Sequence, residues 1–176
     1  MSDQIPSALA NLEANGGIFS IWKLFQHYSI DLVIEDLVEL CGHTVEEGTY
    51  GIALAVGLRK LGLDVTFYTE HDPDPQKTEV KFYREASKLN IEVKEPLSYS
   101  DILEAVNAGR FVIVYYDTLE GIGNHSLVYD ADEEEISFFD SFDAMPRHIF
   151  EQQRRADGIC QQVIVIDDRN FVMRDA

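Results

Sequence analysis

The chain has 176 residues, 45% of them hydrophobic, which suits one globular domain able to bury roughly two-thirds of its unfolded surface. Its 32 acidic and 14 basic residues leave a formal net charge of −18. A surface this acidic repels nucleic acid and anionic membranes and tolerates a basic peptide or protein partner. Cys41 and Cys160, the two cysteines, have the spacing of neither a disulfide framework nor a zinc site, and no cofactor or metal is expected. No apolar run approaches the ~18 residues of a membrane span. Met1 to Pro6 shows no basic region followed by an apolar stretch, so a secretory signal is not expected and the expected location is cytoplasmic.

Asn15 is placed to cap a helix whose Ile18, Ile21, Trp22, Phe25 and Tyr28 recur at helical spacing. Asp31 is a candidate cap for a second helix with Leu32, Leu37, Val38 and Leu40, ending near Cys41-Gly42. Gly48-Thr49-Tyr50-Gly51 introduces a third, with Ile52, Val56, Leu58 and Leu61, which Gly62 stops. The period then changes, and Leu63 to Tyr68 reads as a strand. A turn-rich loop, His71 to Pro75, precedes an amphipathic helix over 77–89 and a shorter one over 101–108 that Ser100 would cap.

Beyond this the chain is β-rich. Phe111 to Tyr116 is a continuous apolar run, as in a central strand. A glycine loop, Gly121 to Asn124, leads into strands at about 125–131 and 135–140. Pro146 suits the first turn of a short helix through Ala156. Cys160 to Asp167 reads as the last strand. Helices first and an antiparallel sheet after them indicate an α+β domain, with no repeat or linker to divide residues 1–176.

His125 opens a strand, and Asp140 closes the next one 15 positions later. Upstream, Gly16-Gly17 begins the first long helix. This succession resembles the papain-like, bacteriocin-processing peptidase domain of some ABC exporters and its free-standing relatives. Gly48-Thr49, Leu61-Gly62-Leu63 and the strand Phe111 to Val114 match the middle of that family's pattern. The resemblance covers about residues 10–167 and leaves 168–176 as a tail.

It implies a papain-like fold, N-terminal helices packed on an antiparallel sheet, with His125 as base and Asp140 as the acid that orients it. Three positions depart from the family. Gly16 stands where the nucleophilic Cys belongs, Ala10 near the oxyanion-hole Gln, and Ser141 where a Pro usually follows the acid. A thiol at a helix N-terminus beside an imidazolium is held as thiolate, and glycine has nothing to attack with.

The resulting expectation is a catalytically inactive papain-like domain, a pseudo-cysteine peptidase. It would bind a peptide or protein in its former active-site cleft, with Gly17, Gly121, Gly123 and Asn124 lining the groove. Two alternatives stand beside it. One is a cysteine peptidase or acyl- or amide-transferring enzyme of the same fold whose nucleophile at position 16 was replaced or relocated. In either papain-like reading a cysteine placed at 16 is expected to be more reactive than Cys41 or Cys160, through the helix dipole and His125, without full catalysis because Ala10 leaves the oxyanion site short of a donor. The other is an unrelated α+β interaction domain. Cys41, at a helix C-terminus, and Cys160, opening a strand, read as packed structural thiols. Ser20 reads as a helix residue, and His27 and His43 fit no metal spacing. Glu46-Glu47 and the acidic run 132–135 read as solvated faces that a basic peptide would also suit.

Overall fold

The apolar residues at helical spacing build the first layer. Ile18, Ile21, Trp22, Leu24 and Phe25 are all buried in a helix over Gly16–Gln26, α2. A single turn, α1 (Ser7–Ala10), precedes it. Asn15 occupies the N-cap position without capping, because its Nδ2 donates instead to the Leu9 carbonyl, at 2.9 Å. That bond ties the start of α2 to the segment before it. The computed structural model describes residues 5–118 and 123–171.

Helix α3 (Ile34–Leu40) has Val33 at its N-cap position, so Asp31 lies outside it. Helix α4 (Gly51–Lys60) is buried over its first eight residues. Gly62, at φ +103°, turns the chain into strand β1 (Asp64–Tyr68). Helix α5 (Lys77–Lys88) follows, with Glu79 Oε1 accepting from the Gln76 backbone at 3.2 Å. Then come β2 (Glu92–Lys94) and α6 (Tyr99–Asn107), whose cap is Ser98 rather than Ser100.

The remaining elements are β3 (Phe111–Asp117), β4 (Gly123–Ala131), β5 (Glu135–Phe138), β6 (Ser141–Pro146), α7 (Arg147–Arg154) and β7 (Val163–Asp167). The strands form one sheet in the order β2-β1-β7-β3-β4-β5-β6. It is antiparallel except where β2 pairs parallel to β1.

Two strands escaped the sequence pattern. β2 is three exposed residues on an edge, too short for an alternation to show. β6 begins three residues after β5 ends and reverses direction at once. Cys160 lies outside β7, in a turn with φ +58°, so it does not open a strand.

Strand alternation sorts the core into two layers. Ile113, Leu127, Ile164 and Ile166 face α2, α4 and α5. Val112, Val114, Tyr116, Val128, Val163 and Val165 face α6 and α7. The sheet is therefore covered on both sides, and its central strands are apolar on both faces for that reason. No helix among the described residues is long and apolar enough to cross a membrane.

Arg154 is the unusual member of the second layer. It is 1% exposed, and burial pushes its guanidinium pKa down to about 10. It donates from Nη1 to the Leu97 carbonyl at 2.9 Å and from Nη2 to the Gln161 carbonyl at 3.2 Å. It thereby fastens α7 to the turn that precedes β7. Arg154→Met keeps the packing and strips both carbonyls of their donor. It is expected to lower unfolding free energy by ~2–3 kcal/mol, read from the midpoint of a urea titration at unchanged slope.

Candidate functional site

The start of α2 packs against the first residues of β4, and the cleft opens between them. A cavity of about 350 Å³ is lined there by Ala14, Gly16 and Gly17, by residues 45–49, and by Tyr115, Thr118, Gly123, Asn124 and His125. A smaller one, about 110 Å³, shares Glu47, Thr49, Tyr115 and His125 with it and continues past Tyr50, Asp72, Glu79, Cys160 and Gln162.

Gly16 begins its helix, as the sequence predicts. A Cβ built on it would fall on Asn124 Oδ1 and lie 2.5 Å from the His125 carbonyl oxygen. Backbone of β4 thus occupies the space that any side chain at 16 would need. Gly17 has a different reason to be glycine, since its Cβ would meet Leu54 of α4 at 2.9 Å, where the two helices pack.

His125 sits opposite Tyr115 in the β3–β4 pairing. The rings stack, with centroids 4.2 Å apart. This stack is what Gly123 permits. A Cβ there would land on the Tyr115 hydroxyl and ring, so the absent side chain makes room for Tyr115 rather than for a ligand. His125 is 7% exposed, and its Nε2 is buried without a hydrogen-bond partner. Burial pushes its pKa down to about 3, so the ring is neutral near pH 7.

The expected His125–Asp140 pair is not formed. The Asp140 carboxylate accepts from Ser126 Oγ at 3.0 Å. Ser126 Oγ in turn accepts from Tyr116 OH at 2.8 Å and from Asn124 Nδ2 at 3.1 Å. Adjacent residues of a strand point to opposite faces. Ser126 therefore draws Asp140 to the α6/α7 side, whereas His125 faces α2 and α4. Sequence spacing placed the two on neighbouring strands, but it could not see that Ser126 competes for the carboxylate.

The far wall of the cleft is the 44–49 loop, and a buried histidine holds it. Thr44 and Gly48 exchange both backbone hydrogen bonds, at 3.0 and 2.8 Å. His43 Nε2 lies 2.9 Å from the Glu13 carbonyl, which can only accept, so Nε2 donates. Nδ1 must then accept from the Thr49 hydroxyl, 2.6 Å away. Burial lowers the His43 pKa, in keeping with this neutral role. Glu46 and Glu47 are carried on the loop into the cleft.

The other candidates separate cleanly. Ala10 is exposed at the end of α1 and brings no donor to the cleft. Ser20 is buried and donates to the Gly16 carbonyl at 2.8 Å, as a helix residue does. Cys41 is buried, and burial pushes its pKa up to about 12. Cys160 is half-buried with its pKa raised, first by burial and then by Asp72, Glu70 and Glu79. Gly121 lies outside the described residues. Asp132 accepts from the Glu134 and Glu135 backbone and so organises the β4–β5 turn. Among the described residues no group of His, Cys, Asp and Glu could hold a metal ion. Sequence reasoning missed Tyr115, Thr49 and Glu79. Alternation along β3 would have placed Tyr115 beside Ile113, but nothing local brings Glu79 of α5 to the cleft.

The buried neutral histidine links protonation to stability. The unfolded chain takes up a proton near pH 6.5, whereas the native ring does so only near pH 3. His125 therefore contributes stability that is complete above about pH 6.5. That contribution falls by ~1.4 kcal/mol per pH unit as the pH drops towards the native value. His43 acts in the same sense, and Glu79, raised by burial, acts oppositely. The His125 share is isolated by comparing the chain with His125→Phe. Between pH 6 and 4.5 the variant is expected to lose stability less steeply in urea titrations. Parallel slopes would mean that the ring titrates normally in the native state.

No family model and no curated protein matches this chain. Among solved structures it is similar to the peptidase domain of Streptococcus ComA, a bi-functional ABC transporter involved in a quorum sensing pathway. The match covers 93% of each chain at 14% identity, with a TM-score of 0.50. Likeness at that identity speaks for architecture alone, and the architecture is the mixed α/β, papain-like fold of that peptidase domain.

Proposed function

We propose that this chain is a non-catalytic papain-like domain that holds an extended peptide or protein segment in the cleft between α2, β4 and the 44–49 loop. The observation that carries this reading is the contact at Gly16. A catalytic thiol would need a Cβ where Asn124 Oδ1 and the His125 carbonyl already lie. Two further features agree with it. A general base works best with a pKa near the operating pH, and that of His125 is pushed down to about 3. The carboxylate that would orient the base serves Ser126 instead.

In this reading the cleft holds an extended chain and does no chemistry on it. Backbone groups at the start of β4 and along the 44–49 loop border it, and such groups bind peptides through main-chain hydrogen bonds. Cys160 borders the adjoining cavity with His125. Its raised pKa and the neutral ring speak against a relocated thiolate.

Two experiments test the reading. In the first, peptides selected from a random display library on the intact chain are re-measured on Thr118→Trp, which fills the cleft from one wall. Binding is expected to be lost in the variant. Peptides that bind both forms equally would place the interaction elsewhere. The second is Gly16→Cys. Overpacking against backbone is expected to cost ~1–3 kcal/mol of stability, and the new thiol should alkylate near neutral pH no faster than an ordinary exposed cysteine. A stable variant with a strongly accelerated thiol, or any peptide hydrolysis, would favour the enzyme reading.

A further inference from the structure

The smaller cavity, which Tyr115 also lines, carries three carboxylates. Glu47, Asp72 and Glu79 reach it from three different segments, the 44–49 loop, the 71–75 loop and α5. Among the described residues no lysine or arginine lines either cavity. One of these carboxylates feels the others. Glu79 is raised by burial and then by Asp72 and Glu47. Tyr50 is pushed up to about 12 by burial, with Glu47 and Glu79 adding to it. The walls between the carboxylates are the rings of Tyr50 and Tyr115. Thr49, Cys160 and Gln162 complete the polar wall with His125, which is more than nine-tenths buried with its Nε2 unpartnered.

An acidic cluster alone is commonly a solvated face. This one lies in a recess continuous with the peptide cleft, between aromatic faces and beside a buried histidine nitrogen that lacks a bond. The carboxylates and the rings suit the same kind of visitor, and so does His125 in the tautomer that carries its proton on Nδ1. A cation satisfies the carboxylates and lies favourably on aromatic faces. A planar donor with several N–H groups reaches more than one acceptor at once, as guanidinium does and ammonium does less well.

We propose that this recess is the specificity pocket of the cleft and takes a basic side chain of the bound peptide, arginine before lysine. It would lie between Tyr50 and Tyr115, with Glu47, Asp72 and Glu79 as acceptors and His125 Nε2 closing the set. The inference rests on the cleft being a peptide site and adds which residue that peptide must carry.

The test uses the whole chain, isotope-labelled, and three capped pentapeptides, Gly-Gly-X-Gly-Gly, with X arginine, citrulline or glutamate, followed by amide chemical shifts. Citrulline keeps the shape of arginine and removes its charge. The arginine peptide is expected to give saturable shifts at residues 47–51, 72, 79 and 115, and the citrulline peptide to bind about tenfold more weakly or less. Glutamate should not bind. Glu79→Gln keeps an acceptor for the Gln76 backbone, and with Glu47→Gln it should weaken arginine binding by about the same factor. Thermal melts of both variants would establish that they are folded.

Equal binding of the arginine and citrulline peptides, with shifts at Gly16, Gly17 and Asn124, would overturn the basic pocket and leave the peptide cleft standing. Arginine binding unaffected by both glutamine variants would overturn the pocket too. Absence of shifts around the cleft with all three peptides would count against both.

Discussion

The functional end of this molecule depends on one contact, the backbone of β4 lying against Gly16 at the start of α2. With the His125 carbonyl 2.5 Å from where a Cβ would stand, strand and helix are closer than any side chain at 16 would allow. The neighbouring arrangements follow along the strand. Gly123 gives its side-chain space to Tyr115, and Tyr115 covers the ring of His125. Asn124 turns its amide into the Ser126 network. The tight approach and the stacked, desolvated histidine are two ends of the same packing.

That packing has an electrical consequence. A cysteine–histidine pair works because an imidazolium and a thiolate stabilise each other beside a helix N-terminus. Here the ring is kept neutral by burial, and no side chain at position 16 supplies an anion. The charge that remains in the cleft is the negative charge of Glu46, Glu47, Asp72 and Glu79, on a chain whose net charge is −18. A field of one sign suits the capture of a cation, and it does little for acyl transfer, whose intermediate is an oxyanion.

The architecture was largely legible in the sequence, because long periodic elements announce themselves. Ile18, Ile21, Trp22 and Phe25 gave α2, the apolar run from Phe111 gave β3, and the order of helices and strands gave the fold. Short edge elements such as β2 carried too little pattern to be read. Caps were read less well. Asn15 holds the predicted position yet spends its side chain on Leu9, and Ser98 rather than Ser100 begins α6. At the site, spacing identified Gly16 and His125 as cleft residues, and the two do line one cavity. It failed for Asp140 because the outcome turned on a choice between two neighbours on β4 that point to opposite faces. It failed for Glu79 because the helix bearing that residue reaches the cleft only through tertiary packing.

The contacts around position 16 are coupled, and each constrains the others. A thiol at 16 requires β4 to retreat. Retreat of β4 loosens Asn124 and with it the Ser126 network that holds Asp140. Raising the pKa of His125 requires relief of its burial, and the ring of Tyr115 stacked on it maintains that burial. No single substitution supplies all of these, and each made alone strains a contact that the others maintain. The present arrangement is thus a self-consistent packing solution, in which Gly16, Gly17 and Gly123 each give their side-chain space to a neighbour. His125, whose Nε2 is buried without a hydrogen-bond partner, lines both the cleft and the acidic recess beside it.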